Sequence, residues 1–217
     1  MTDISHHLTD ELLLGYAAGS LPEAFNLVVA THISLCDECR ARLGAYEAIG
    51  GAMLEEVGMN AGTAELAIEL DAVLAAIDAA PAEPPKPKRA PGVFPTALQD
   101  YVGGDLEAVK WRGIGMGVKQ AILKTSNKAS VRLLRIPAGT AMPDHGHHGT
   151  ELTLVLQGAF KDESDRFARG DIEIATEDDH HTPIADDGPD CICLAATDAP
   201  LKFRGLLPKI AQRFARI

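Results

Sequence analysis

The chain has 217 residues, 46% of them hydrophobic, and a formal net charge of −11. That is enough for one large domain or two small cored ones, and no apolar run approaches the length of a membrane span. Residues 1–7 lack the basic and apolar regions of a signal peptide, so the cytoplasm is the expected compartment. There, four cysteines in two close pairs point to metal or redox chemistry rather than structural disulfides. The charge is unevenly placed. Residues 1–80 hold 13 acidic and 2 basic residues, whereas residues 81–217 hold 18 of each. Such an acidic first segment repels nucleic acid and attracts a basic protein surface.

Residues 1–80 read as four helices. Thr9 can cap the first, which carries Leu12, Leu13, Tyr16 and Ala17 and ends at Gly19. Ser20-Leu21-Pro22-Glu23 fits a capping box for the second, which carries Phe25, Val28 and Val29 and runs towards His32. A third starts near Cys36 and passes Leu43, Tyr46 and Ile49, with Gly50-Gly51 as its weak point. After Gly58 to Gly62, a fourth carries Leu66, Leu70, Val73 and Ile77 as one apolar stripe. Four short helices make a marginal core that a metal would strengthen. Residues 81–95 are proline-rich and predict a semi-extended linker. Residues 96–217 change to short β-rich runs: Val109–Ile114, Val118–Lys124, Ser130–Ile136, Glu151–Gln157, Asp171–Ala175, Cys191–Ala196 and Leu201–Gly205. This spacing predicts an all-β sandwich or barrel, with a short helix over 208–217. The expected fold class is therefore a two-domain α + β chain.

Two constellations carry chemistry. His32-Ile33-Ser34-Leu35-Cys36-Asp37-Glu38-Cys39 reads H-x3-C-x2-C. On a helix, these three ligands share one face, and a tetrahedral zinc site needs a fourth, for which His6 and His7 are the candidates. In the second half, His145, His147 and Glu151 fit G-x5-H-x-H-x3-E-x6-G, from Gly139 to Gly158. His145 and His147 point to one side of a strand, Glu151 can face the same cavity, and His180 or His181 can complete the set. Imidazole and carboxylate suit zinc, manganese, iron or nickel. Cys191 and Cys193 share one face of a strand, and small core residues are the expected reading, with a redox pair as the alternative.

The second motif resembles the first motif of the cupin superfamily, which implies a double-stranded β-helix. The usual P-x-G of the second cupin motif is missing here, and the T-P dipeptide following makes His181 the preferred ligand. The first half resembles the zinc-binding anti-sigma domain. In this order, helical domain (1–80), linker (81–95) and cupin (96–217), the chain resembles the ChrR family of anti-sigma factors. The resemblance implies zinc at His6, His32, Cys36 and Cys39. It implies a second divalent metal, zinc foremost, at His145, His147, Glu151 and His181. It further implies a non-enzymatic protein that occludes an extracytoplasmic-function sigma factor, keeps it from RNA polymerase, and releases it on an oxidative signal such as singlet oxygen. Neither direct nucleic-acid binding nor membrane contact is expected. The alternative is a metal-dependent cupin enzyme, a dioxygenase or isomerase, with an accessory helical domain.

Overall fold

A computed structural model describes residues 4–60, 69–81, 89–200 and 202–203. Leu66, most of the proline-rich segment and the helix expected over 208–217 lie outside the described residues. The helices are α1 (Asp10–Ala17), α2 (Glu23–Ile33), α3 (Asp37–Asn60), α4 (Leu70–Ala79) and α5 (Thr96–Val102). Thr9 caps α1 through its hydroxyl, which accepts the Leu12 N–H at 3.4 Å. The chain leaves α1 at Gly19, whose φ of +64° suits glycine. The capping box expected at Ser20 does not form. The Ser20 hydroxyl donates back to the Gly15 carbonyl. Glu23 instead reaches the β half, where its carboxylate accepts the Tyr101 hydroxyl at 2.9 Å and the Ser126 N–H at 2.7 Å. Helix α3 runs unbroken through Gly50-Gly51, because a glycine costs about 1 kcal/mol in a helix but keeps its backbone hydrogen bond.

The β half has strands β1 (Arg112–Gly115), β2 (Val118–Leu123), β3 (Ser130–Ile136), β4 (His145–Gly146), β5 (Glu151–Gln157) and β6 (Ala159–Lys161). It continues with β7 (Arg166–Ala168), β8 (Ile172–Ala175), β9 (His180–His181), β10 (Ile184–Ala185), β11 (Cys191–Thr197) and β12 (Lys202–Phe203). They form one large antiparallel sheet in the order β1-β2-β3-β11-β5-β8 and two small ones, β10-β6-β7 and β12-β4-β9. Strands β5 and β11 are buried along nearly their whole length. Their largely apolar sequence follows from being covered on both faces.

One face of the large sheet packs under Phe160 and Phe167 of the small sheet, with Val155, Cys191 and Cys193 between. On the other face, α2 lies against β3, β5 and β11 and against α5. Phe25, Val28 and Val29 of α2, Leu13 of α1 and Leu43 of α3 share one core with Leu133, Leu154 and Leu194 of the sheet. The helices that the sequence places before the proline-rich segment therefore pack directly on the strands that follow it. The distal part of the helical segment is different. Among the described residues, α4 buries no side chain. Its Leu70 and Ile77 are 70% and 63% exposed, and Met53, Leu54 and Val57 at the far end of α3 are similarly bare.

Candidate metal centres

The first centre forms where α2 ends and α3 begins. His32, near the end of α2, and Cys39, in the first turn of α3, are fully buried, and Cys36 nearly so. They do not share the one helix that the spacing predicted; the turn between α2 and α3 brings them together with His7, and one ligand atom from each of the four lies within 4.8 Å of the others. His7 Nδ1 stands 3.3 Å from Cys36 Sγ and 3.7 Å from Cys39 Sγ. Its Nε2 faces the Glu38 carboxylate at 3.4 Å, an arrangement that orients a metal-bound imidazole. Neither ring nitrogen of His32 has a hydrogen-bond partner of normal geometry. Burial and then the nearby His7 lower its pKa to about 4, against the Gly170 backbone and the Asp171 charge, so the ring is a neutral base at neutral pH. An orphaned buried imidazole needs an explanation, and two thiols with two imidazoles fit zinc. Burial pushes the Cys39 thiol up to about 11.

The structure brings His7, not His6, to this cluster. The segment is extended, and neighbours in an extended chain point to opposite sides. His6 turns towards the β half, with Nε2 3.1 Å from Asp165, Nδ1 3.6 Å from Asp171, and its ring against Phe167.

The second centre lies in the β half. In the β4–β9 ladder, His145 and His181 are direct cross-strand partners. His181 Nε2 stands 3.2 Å from His145 Nε2 and 3.3 Å from His147 Nε2. All three rings are buried, and three ring nitrogens lie within 4.8 Å of one another. His180, by contrast, is exposed. Glu151, at the start of β5, stands beside the three histidines rather than among them. Its carboxylate is 3.8 Å from His147 Nδ1 and accepts the Thr153 hydroxyl at 3.1 Å. Burial lowers the pKa of His145, and that of His147 to about 4. His145 Nδ1 donates to the Pro143 carbonyl at 2.9 Å, which leaves Nε2 as the basic nitrogen facing its neighbours. Three imidazole nitrogens that converge this closely fit a divalent cation.

Two carboxylates that the sequence reading missed complete this centre. His181 Nδ1 donates to Glu173 at 2.8 Å and to Asp162 at 3.0 Å. Burial disfavours the His181 imidazolium, but these carboxylates outweigh it and raise the pKa to about 9. Burial pushes Glu173 up to about 7. Asp162 is lowered despite its burial, by the Ser164 hydroxyl and by backbone N–H groups of its own turn. The available signal was the glutamate between two isoleucines in Ile172-Glu173-Ile174, a charge on a strand that is otherwise apolar. Cys191 and Cys193 lie in the apolar layer between the sheets, their sulfurs 3.5 Å apart in a thiol hydrogen bond and not joined as a disulfide. The neighbouring Cys191 and burial raise the Cys193 pKa strongly, which makes it a poor nucleophile.

Comparison with known proteins agrees with this architecture. Residues 99–199 match the family model for the ChrR cupin-like domain. Over 217 residues the chain is 58% identical to the anti-sigma-E factor ChrR of Cereibacter sphaeroides (strain ATCC 17023), with 99% of each chain covered. It is also similar in structure to ChrR in the crystal structure of Rhodobacter sphaeroides SigE in complex with the anti-sigma ChrR. There the TM-score is 0.76 at 56% identity, over 90% of this chain and 100% of that one.

Proposed function

The chain belongs to the ChrR family of anti-sigma factors, and on that premise we propose that it sequesters an extracytoplasmic-function sigma factor in the cytoplasm and releases it on an oxidative signal. The observation that carries the first part is the correspondence over nearly the whole chain to a protein known as an anti-sigma factor and crystallised with SigE. The apolar faces of α4 and distal α3, bare among the described residues, support it. Large exposed apolar patches mark binding surfaces, and these sit in the segment that holds the acidic excess. Occlusion is steric. The helices cover a basic, helical partner that core RNA polymerase would otherwise hold.

His7, His32, Cys36 and Cys39 are the proposed zinc ligands. Zinc there supplies folding energy to a segment with a small core of its own. His32 enters from α2, Cys36 from the turn just before α3 and Cys39 from α3, and His7 closes the set from the N-terminal strap. In the β half, His145, His147 and His181, with Glu151 alongside, are the proposed ligands of a second divalent cation, zinc foremost. A cation there supplies Lewis-acid chemistry. Asp162 and Glu173 aim His181, and His145 is aimed by the Pro143 carbonyl. Signal reception belongs to this second centre, because a packing role alone is better served by apolar side chains than by buried ionisable ones. The family assignment places the chain among regulators rather than enzymes.

The test is co-expression of the tagged chain with the extracytoplasmic-function sigma factors of its own organism, one at a time, followed by affinity capture. A stoichiometric complex supports the proposal. Capture of the folded, metal-loaded chain without sigma factor contradicts it.

A further inference from the structure

Before entering the helices, the N-terminal segment crosses the β half. Asp171, at the turn into β8, is only 4% exposed. Its Oδ1 accepts the amide N–H of Ser5 at 2.7 Å and of His6 at 3.0 Å, and its Oδ2 accepts that of Ala168 at 2.8 Å. The Ile172 N–H donates to the His6 carbonyl at 3.3 Å. Ile4 lies over Gly170, where a Cβ would stand 2.6 Å from its Cδ1. The amides and the carbonyl on either side of His6 are thus fixed to the turn between β7 and β8. The next residue is His7. Consecutive Cα atoms are about 3.8 Å apart, so fixing His6 at both ends fixes where the His7 ring can reach.

We propose that Asp171 is a positioning residue for the zinc centre of the helical segment, so that the β half itself delivers the ligand His7. This rests on the reading that His7, His32, Cys36 and Cys39 bind zinc. Asp171 lies just before β8 and Glu173 on it, two residues on, and Glu173 holds His181 at 2.8 Å. A cavity of about 440 Å³ lies between the strap and the strand, lined by His6, His7, Asp162, Glu173 and His181 among others. One stretch of backbone, residues 171–173, therefore braces a ligand of each centre.

The test uses the full chain loaded with cobalt(II), whose thiolate charge-transfer band reports only the cysteine-containing centre. Wild type should show that band with tetrahedral d–d absorption. Asp171→Ala should keep its fold and its second metal equivalent. It should alter the d–d spectrum and weaken zinc at the thiolate centre roughly 10-fold, the low end for outer-shell partners. His7→Ala should give the same spectrum, and the double variant should go no further. Asp171→Asn, which keeps an acceptor oxygen for the Ser5 and His6 amides, should recover most of the affinity. Deletion of residues 2–5 tests the strap from its other side and should weaken zinc similarly, even if Asp171→Ala does not fold. Wild-type spectra and affinity in both altered chains would overturn the positioning role. Absence of the thiolate band in wild type would instead overturn the zinc reading, and the proposal with it.

Discussion

Glu173 holds Nδ1 of His181 at 2.8 Å, while the opposite nitrogen of the same ring stands 3.2 Å from His145. With Asp162, this buried carboxylate aims an imidazole that joins two strands. Glu173→Gln is expected to weaken metal at the histidine centre by roughly 10- to 100-fold, with the thiolate centre unchanged. Chelator competition on the full chain measures this, and an unchanged affinity removes Glu173 from that role.

Zinc affinity at the thiolate centre should rise with pH. The Cys39 thiol, raised to about 11, carries its proton at neutral pH and must lose it to become a ligand. His32, lowered to about 4, is already neutral and releases none. Each displaced thiol proton tightens apparent binding by about tenfold per pH unit. Titrations in buffers of different ionisation enthalpy should show net proton release on zinc binding; proton-neutral binding would exclude the thiols as ligands.

The sequence made much of this legible, for identifiable reasons. The β3 and β5 spans expected from β-rich runs coincide with those observed, because a run rich in branched and apolar residues between turn residues leaves a strand little choice. His32, Cys36 and Cys39, and His145 and His147, were readable because each set lies close along the chain; the first three share no single helix, and a turn between α2 and α3 brings them together. His6 and His7 were not separable that way. Which of two neighbours faces the thiols depends on Asp171, more than 160 positions away along the chain. Strands of two or three residues, such as β4 and β9, carry too little pattern to be seen. Glu23 was misread for the same reason as His6: its partners, Tyr101 and Ser126, come from the other half of the chain.

The bare stripe on α4 should be part of the sigma contact. Ile77→Asp is expected to weaken sigma binding roughly 10-fold or more, the effect of losing a buried anchor. It should leave the thermal midpoint of the free chain nearly unchanged, because the side chain is already 63% exposed. Calorimetry of the complex and of the free variant separates the two. The wild-type contact should also weaken with salt, as screening of the acidic rim requires.

His145→Ala should leave sigma binding intact and abolish release. The ring lies on β4, remote in sequence from the helical segment, and its loss removes one of three converging imidazoles. Target-promoter activity with and without oxidant is the readout. Normal induction in a variant shown to lack the second metal would move the sensor to Cys191 and Cys193 or to the thiolate centre.

The central claim is that this chain and core RNA polymerase compete for one sigma factor. It is tested most directly by titrating the purified, zinc-loaded chain into preformed sigma factor and core enzyme and following holoenzyme assembly. The account predicts that holoenzyme falls as a one-to-one complex of sigma factor and this chain appears. A ternary complex of chain, sigma factor and core enzyme that still transcribes would contradict it.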